Sequence, residues 1–319
     1  MKTCQLSRLY FLLFSMLVVL PVANSLAQAV IPGTGAELAE VGDDFEDEAW
    51  AYNQNLPKVY NHGDDALSKN LPLGESTNGR WHEGQKRGQP DIVARVETPP
   101  GGLVGSAGSM LLRSKITGSS HPSYQQQQDD FICNVAGRVG KIDVSRSPSV
   151  VTRVWFPPIE EWEERSGCHF AFRVSLEHDT TAISRFRRAS FSAEDGVYWP
   201  GFFLNRELPK TNPDGSQTPG RFYFWMKATA DSRALSGPEI NQFGWWTLGI
   251  SVSPEGQVHY YAKPGLEDLT AEDHVASAYP FGHHARRFRS FFFNVCSGDD
   301  GTTWSTPFIV DDPKVYVIR

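Results

Sequence analysis

WWTLGISVSPEGQVHYYAK, which runs from Trp245 to Lys263, reads as two short strands joined by a tight turn, and its pattern decides the fold class. Apolar and polar residues alternate on both arms, the period of two that marks a half-buried strand. Trp246, Leu248, Ile250 and Val252 share one face with Val258, Tyr260 and Ala262. Side chains paired across a hairpin lie on the same face, so Val252 stands opposite Val258, and Pro254, Glu255 and Gly256 form a three-residue loop. Pro254 has the φ wanted at the first central position of a type I turn, and Gly256 takes the left-handed conformation of the bulge that completes it. The second face carries Trp245, Thr247, Gly249, Ser251, Gln257, His259, Tyr261 and Lys263, a polar and aromatic set. In this register Tyr261 faces Gly249 and His259 faces Ser251. A ring opposite a residue without a side chain leaves a shallow depression, expected to seat a ligand.

Outward from the hairpin, further strand-like segments recur at 92–96, 109–115, 149–156, 170–177, 186–191, 198–205, 221–229, 289–296 and 314–318. A single turn or two of helix is expected at 158–165, opened by Pro158. Many short strands with turn signals and almost no helix predict an all-β fold, a two-layer antiparallel β-sandwich of jelly-roll type. Residues 51–90 are rich in Asn, Gly, Asp and Pro and read as a long N-terminal loop region. The segment at 221–229 directs Phe222, Phe224 and Met226 inward and Tyr223, Trp225 and Lys227 outward. Were this strand a neighbour of the hairpin, Tyr223, Trp225, Trp245, His259 and Tyr261 would pave one face.

The first residues carry the marks of export. Lys2 and Arg8 precede an apolar run at 9–22, and Ala27, Gln28 and Ala29 give a small-x-small cleavage pattern. Residues 1–29 are therefore expected to be a signal peptide and residues 30–319 a single secreted β-sandwich domain, with no membrane span. A net charge of −7 argues against a nucleic-acid partner. The basic runs at 185–188 and Arg286, Arg287 and Arg289 read as solvated strand ends. Cys4 leaves with the signal, so Cys133, Cys168 and Cys296 remain. One disulfide and one buried thiol are expected, with the pairing open.

SGDDGTTW, at 297–304, resembles the Asp-box S-x-D-x-G-x-T-W of sialidases, filled by Ser297, Asp299, Gly301, Thr303 and Trp304. Asp299 is expected to bond the backbone N–H groups ahead of it, as a folding device. The run DDFE at 43–46 with Trp50, the hairpin and a strand ending the chain together resemble the concanavalin A-like jelly roll of lectins, laminin-G modules, glucanases and polysaccharide lyases. That resemblance implies a concave sheet that cradles a polysaccharide or other glycan, often with a calcium ion nearby and no other cofactor. Rings stack on the apolar face of a pyranose while polar neighbours bond its hydroxyls.

Non-catalytic glycan recognition by Tyr223, Trp225, Lys227, Trp245, Gln257, His259, Tyr261 and Lys263 is the reading these residues favour. Two alternatives stand beside it. Gln257, Val258 and His259 running into Tyr261 and Lys263 resemble the Q-[IV]-H and Y-F-K-x-G-x-Y strands of jelly-roll alginate lyases, with His259 as base and Tyr261 as acid. Here the two motifs are merged and the R-x-E-x-R strand is absent. The paired acids of a glycoside hydrolase would have to come from Glu177 with Asp179 or Glu194 with Asp195. The other alternative is a structural or protein-interaction module of the cell surface, its rings covered by loops at 53–90 or 263–287.

Overall fold

The computed structural model describes residues 29–56, 58, 73–85, 87–117, 127–178, 196–227, 229 and 233–318. Residues 1–28, the expected strand at 186–191, the basic run at 185–188 and the acids Asp179, Glu194 and Asp195 lie outside them. The described chain is a two-layer antiparallel β-sandwich of jelly-roll type. Its eight-stranded sheet runs, edge to edge, through His274–Ala278, Val258–Pro264, Gly244–Val252, Ser149–Phe156, Phe308–Val317, Gly108–Arg113 and Ile92–Glu97, with Ala36–Glu37 paired to Phe308–Val317. The eleven-stranded sheet runs through Ala234–Glu239, Arg221–Lys227, Gly201–Glu207, Gly167–His178, Ala285–Ser297, Gln127–Cys133, Trp81–Glu83, Glu75–Ser76 and Tyr52–Asn53, with Val197–Tyr198 paired to Gly167–His178 and Ile142–Asp143 to Ala285–Ser297.

The hairpin forms as its sequence dictates. Val252 pairs with Val258, Ser251 with His259 and Gly249 with Tyr261. Its loop closes by Ser253 N–H donating to Gln257 O at 2.9 Å and Gly256 N–H to Ser253 O at 2.8 Å, with Gly256 at φ 81°. Only glycine fits there twice over, because a Cβ on Gly256 would also stand 2.4 Å from the Ala285 carbonyl oxygen.

Between the sheets the two inner faces interdigitate. Phe170, Phe172, Val174 and Leu176 meet Trp246, Leu248, Ile250 and Val252 in one buried core. Trp81 anchors the far end, stacked on Phe131 with ring centroids 4.4 Å apart. The DDFE run closes over it. One carboxylate oxygen, Asp43 Oδ2, accepts from Trp50 Nε1 at 3.0 Å, Trp81 Nε1 at 3.1 Å and Asn78 Nδ2 at 2.8 Å. The acidic opening of the chain is thus tied to two indoles of the core.

Two expectations change. The 51–90 region is not loop throughout: Tyr52–Asn53, Glu75–Ser76 and Trp81–Glu83 extend the larger sheet, each too short to show a period of two. At 158–165 there is only a single 3₁₀ turn, Ile159–Glu161. That stretch has no apolar stripe for a helix to bury, and Trp162 leaves the turn in an extended conformation to donate from Nε1 to Pro157 O at 2.9 Å. A five-residue helix, Val135–Val139, forms instead where no signal marked one. All three cysteines of the described chain are free and buried. No bond joins them in this structure; the nearest sulfurs, Cys168 and Cys296, stand 3.8 Å apart.

Candidate functional site

The polar and aromatic face of the hairpin is a covered layer. Trp245 is only 6% exposed and Tyr261 2%, and Thr247, Ser251 and His259 are buried with them. The depression opposite Tyr261 is already filled, since a Cβ on Gly249 would lie 2.4 Å from Leu269 Cδ1 and 2.7 Å from the Pro32 ring. Ser251 Oγ donates to Val30 O at 2.6 Å, and Thr247 Oγ1 to Gly265 O at 2.9 Å. The segment around Pro32 and the loop carrying Leu269 therefore lie across the face that the alternation sets outward. The lid of the loop at 263–287 fits the structural alternative.

His259 and Tyr261 share that face but not a substrate path. His259 Nδ1 is 2.6 Å from Ser277 Oγ, which also lies 2.8 Å from His274 Nε2. Burial, and then the neighbouring His274, push His259 down to about 4, so its ring is neutral at physiological pH. Burial raises the Tyr261 hydroxyl above its ordinary value. Lys263 Nζ is spent on Asp268 O at 2.6 Å and on Asp273 at 3.5 Å. Gln257 is half-buried beside the turn.

Tyr223, Trp225 and Lys227 belong to the other sheet, so they do not pave one surface with the hairpin. The cause is topological: the Arg221–Lys227 strand pairs with Gly201–Glu207 and Ala234–Glu239, while the hairpin pairs with Ser149–Phe156. On the outer face of the larger sheet, Tyr223 donates from its hydroxyl to Glu207 Oε1 at 3.0 Å. Trp225 stacks on Phe203 with centroids 4.2 Å apart. Burial and then Arg173 lower Lys227 from its ordinary value.

Strand register gathers further residues that their local sequence does not mark. Trp225, Phe203, Ala171, Asn294 and Asp130 are successive cross-strand partners and form one straight row over adjacent strands. The next row holds Gly201, Arg173, Phe292, Ile132 and His82. Arg173 lies between two rings, 5.1 Å from Phe203 and 5.2 Å from Phe292. Its Nε and Nη2 donate to Trp199 O at 3.2 and 2.8 Å, and Nη1 to Asn294 Oδ1 at 3.3 Å. Asn294 Nδ2 in turn donates to Asp130 Oδ1 at 2.5 Å, an oxygen that Gln128 Nε2 also reaches at 3.0 Å. Burial raises the Asp130 carboxyl above its ordinary value, opposed by Arg173 and Arg87. It also pulls Arg173 down to about 10.

At the Asp130 end of these rows is a cavity of about 220 Å³. Trp199 and Phe292 give it aromatic walls, and His82, Asp130, Ser175 and Arg289 supply polar groups. His82 Nδ1 is 2.9 Å from Glu83 O, so the proton sits on Nδ1 and Nε2 keeps its lone pair. Burial lowers His82 from its ordinary value.

No family model and no curated protein matches the chain. Weak likenesses to solved structures do exist. A carbohydrate esterase from a Shiga toxin-encoding bacteriophage superimposes with a TM-score of 0.42 at 8% identity, over 76% of this chain and 91% of that one. The exoplasmic/lumenal domain of VIP36, with calcium and an oligosaccharide bound, gives 0.38 at 10% identity, over 76% and 85%. An alginate lyase from Pseudomonas aeruginosa gives 0.38 at 11% identity, over 72% and 87%. Likeness of this degree carries no argument about which residues act.

The remaining motifs resolve differently from expectation. Asp300, rather than Asp299, holds the 297–304 turn, accepting from Thr302 N–H at 2.8 Å and Thr303 N–H at 2.6 Å. Asp299 has a φ of 55° and instead accepts from Thr117 N–H at 2.6 Å. Trp304 packs under Arg113 and Lys115. Glu177, a candidate acid, is engaged by Lys141 at 2.5 Å and Arg289 at 3.4 Å. Among the described residues no three His, Cys, Asp or Glu side chains cluster to hold a metal, and the acidic opening spends Asp43 on hydrogen-bond donors, which does not fit a calcium site. No helix among them is long and apolar enough to cross a membrane.

Proposed function

We propose that this chain is an exported concanavalin A-like glycan-binding protein that holds sugar on the outer face of its larger sheet without transforming it. One observation carries the reading: the cavity at the Asp130 end combines two aromatic walls, Trp199 and Phe292, with His82, Asp130, Ser175 and Arg289 in about 220 Å³. That volume lies below the roughly 300–1,000 Å³ of sites for drug-sized ligands, so it takes a sugar ring at a time. The hydrogen-bonded line Arg173, Asn294, Asp130 fixes the carboxylate in advance, which keeps the entropy lost on binding small. Trp225 and Lys227 extend the surface at the opposite end of the rows. The row holds a single carboxylate, whereas glycoside hydrolysis uses two. His82 stands three strands from Arg173, about 14 Å at the usual strand spacing, too far to act together on one uronate.

Glycan arrays followed by calorimetry test the reading. Trp199→Ala is expected to weaken the retained glycan about tenfold, or ~1.4 kcal/mol, while Tyr261→Phe on the covered face leaves affinity unchanged. If the folded protein retains no glycan, or if Trp199→Ala binds as well as the parent, the reading fails. Unsaturated ends released from a uronic-acid polymer would replace it with a lyase.

A further inference from the structure

We propose that Cys168 and Cys296 become joined as a disulfide when the chain folds in an oxidising compartment, while Cys133 stays a thiol. The inference is independent of the glycan reading.

The two cysteines sit on Gly167–His178 and Ala285–Ser297, adjacent antiparallel strands at the centre of the larger sheet. The two cysteines stand just beyond the Phe170–Val295 pair, beside the register shift between Cys168 and Phe170 that turns both sulfurs to one face. The two sulfurs are 3.8 Å apart, so each has about 0.9 Å to travel to reach bonding distance. The backbone beneath them is already clamped. Arg165 Nη2 donates both to Cys168 O at 2.6 Å and to Cys296 O at 2.9 Å, and Glu163 braces the same guanidinium at 2.6 Å. The thiol of Cys296 is held below its ordinary value, first by its hydrogen bond with Cys168 and, against the opposing effect of burial, by Arg165, which favours it as the first thiolate.

Geometry also excludes the other pairings. Cys168 and Cys296 belong to a small cluster with Ala171 and Phe203 on the outer face of the sheet. Cys133 lies in the main core between the two sheets, with Gly42 N–H 3.4 Å from its sulfur. The sheet itself separates it from both.

The chemistry balances as thiol–disulfide exchange with a small-molecule disulfide such as oxidised glutathione. The Cys296 thiolate attacks one glutathione sulfur, forming a mixed disulfide and releasing the first glutathione thiolate. The Cys168 thiolate then attacks Cys296 Sγ, closing the protein disulfide and releasing the second. The two cysteines lose two electrons and two protons, and the two glutathiones gain them.

The test is refolding of the reduced, unfolded chain in a buffer of reduced and oxidised glutathione, followed by alkylation, digestion and mass spectrometry without reduction. The expected result is a Cys168 peptide linked to a Cys296 peptide, with Cys133 alkylated. Cys133→Ala is expected to keep the link, and Cys168→Ser to leave Cys296 alkylated. Alkylation of all three cysteines in the refolded parent, or any link through Cys133, overturns the proposal. Because the parent chain alone gives the decisive map, failure of a variant to fold does not affect the outcome.

Discussion

Replacing Asp43 by Ala is expected to cost about 2–6 kcal/mol. Three donors converge on Asp43 Oδ2, and two of them, the Trp50 and Trp81 indoles, are buried where water does not replace the lost acceptor. A buried donor left without a partner costs about 1–3 kcal/mol, so two such donors set the range. The third, Asn78, is half-buried and recovers a bond to solvent. Asp43→Asn keeps a side-chain oxygen in place and is expected to cost about 1 kcal/mol, the worth of one weakened hydrogen bond. Urea unfolding followed by tryptophan fluorescence gives both values from the midpoints and slopes. In a Trp50→Phe background the cost of Asp43→Ala should shrink, because one of the stranded donors is gone. If Asp43→Ala unfolds within 1 kcal/mol of the parent, or if the Trp50→Phe background makes no difference, the carboxylate does not hold the chain's opening to the core.

Three further outcomes follow from the same structure. Gly249→Ala drives a methyl against Leu269 and Pro32 and is expected to lower stability by about 1–3 kcal/mol through overpacking. Combining it with Pro32→Ala should return part of that loss in thermal unfolding, and strict additivity would contradict the contact. In the oxidised chain, reducing the proposed Cys168–Cys296 bridge opens a loop spanning 128 residues, for which the chain-entropy relation gives about 5 kcal/mol. The thermal midpoint should then fall by about 10 °C or more, and an unchanged midpoint would refute the link's contribution. Burial raises Asp311 from 3.8 to about 7, so the folded state holds a proton that the unfolded chain has released. Its stabilising contribution is present at low pH and lost as pH rises from about 4 through about 7. Asp311→Asn should therefore gain on the parent across that window in urea midpoints, and a constant difference between the two would defeat the assignment.

Much of the fold is legible in the chain. Pro254 and Gly256 specify the turn, and the alternation from Trp246 to Val252 specifies both the register and the buried face. What alternation cannot show is what lies over the opposite face. Thr247, Ser251 and His259 read as outward because they are polar, yet each finds a hydrogen-bond partner that local pattern does not announce: Gly265 O, Val30 O and Ser277 Oγ. Leu269 and Pro32, which complete the cover, come from segments without periodicity. The candidate site was hidden for the converse reason. Arg173 looks like any exposed position of an alternating strand, and its meaning appears only when Phe203, Phe292, Asn294 and Asp130 are brought beside it by strands distant in sequence. Trp225 was visible as an outward ring, but nothing within 221–229 tells which sheet that strand joins.

The filled depression at Gly249 has a consequence beyond stability. The residue that occupies it, Pro32, lies near the start of the described chain, and the backbone just before it is fixed to the sheet by the bond from Ser251 to Val30 and by Ile31 packed on the Val151, Tyr261 and Leu269 cluster. A chain trimmed beyond Pro32 would present an empty socket shaped for its own missing arm, with Tyr261 and Leu269 bared at its floor.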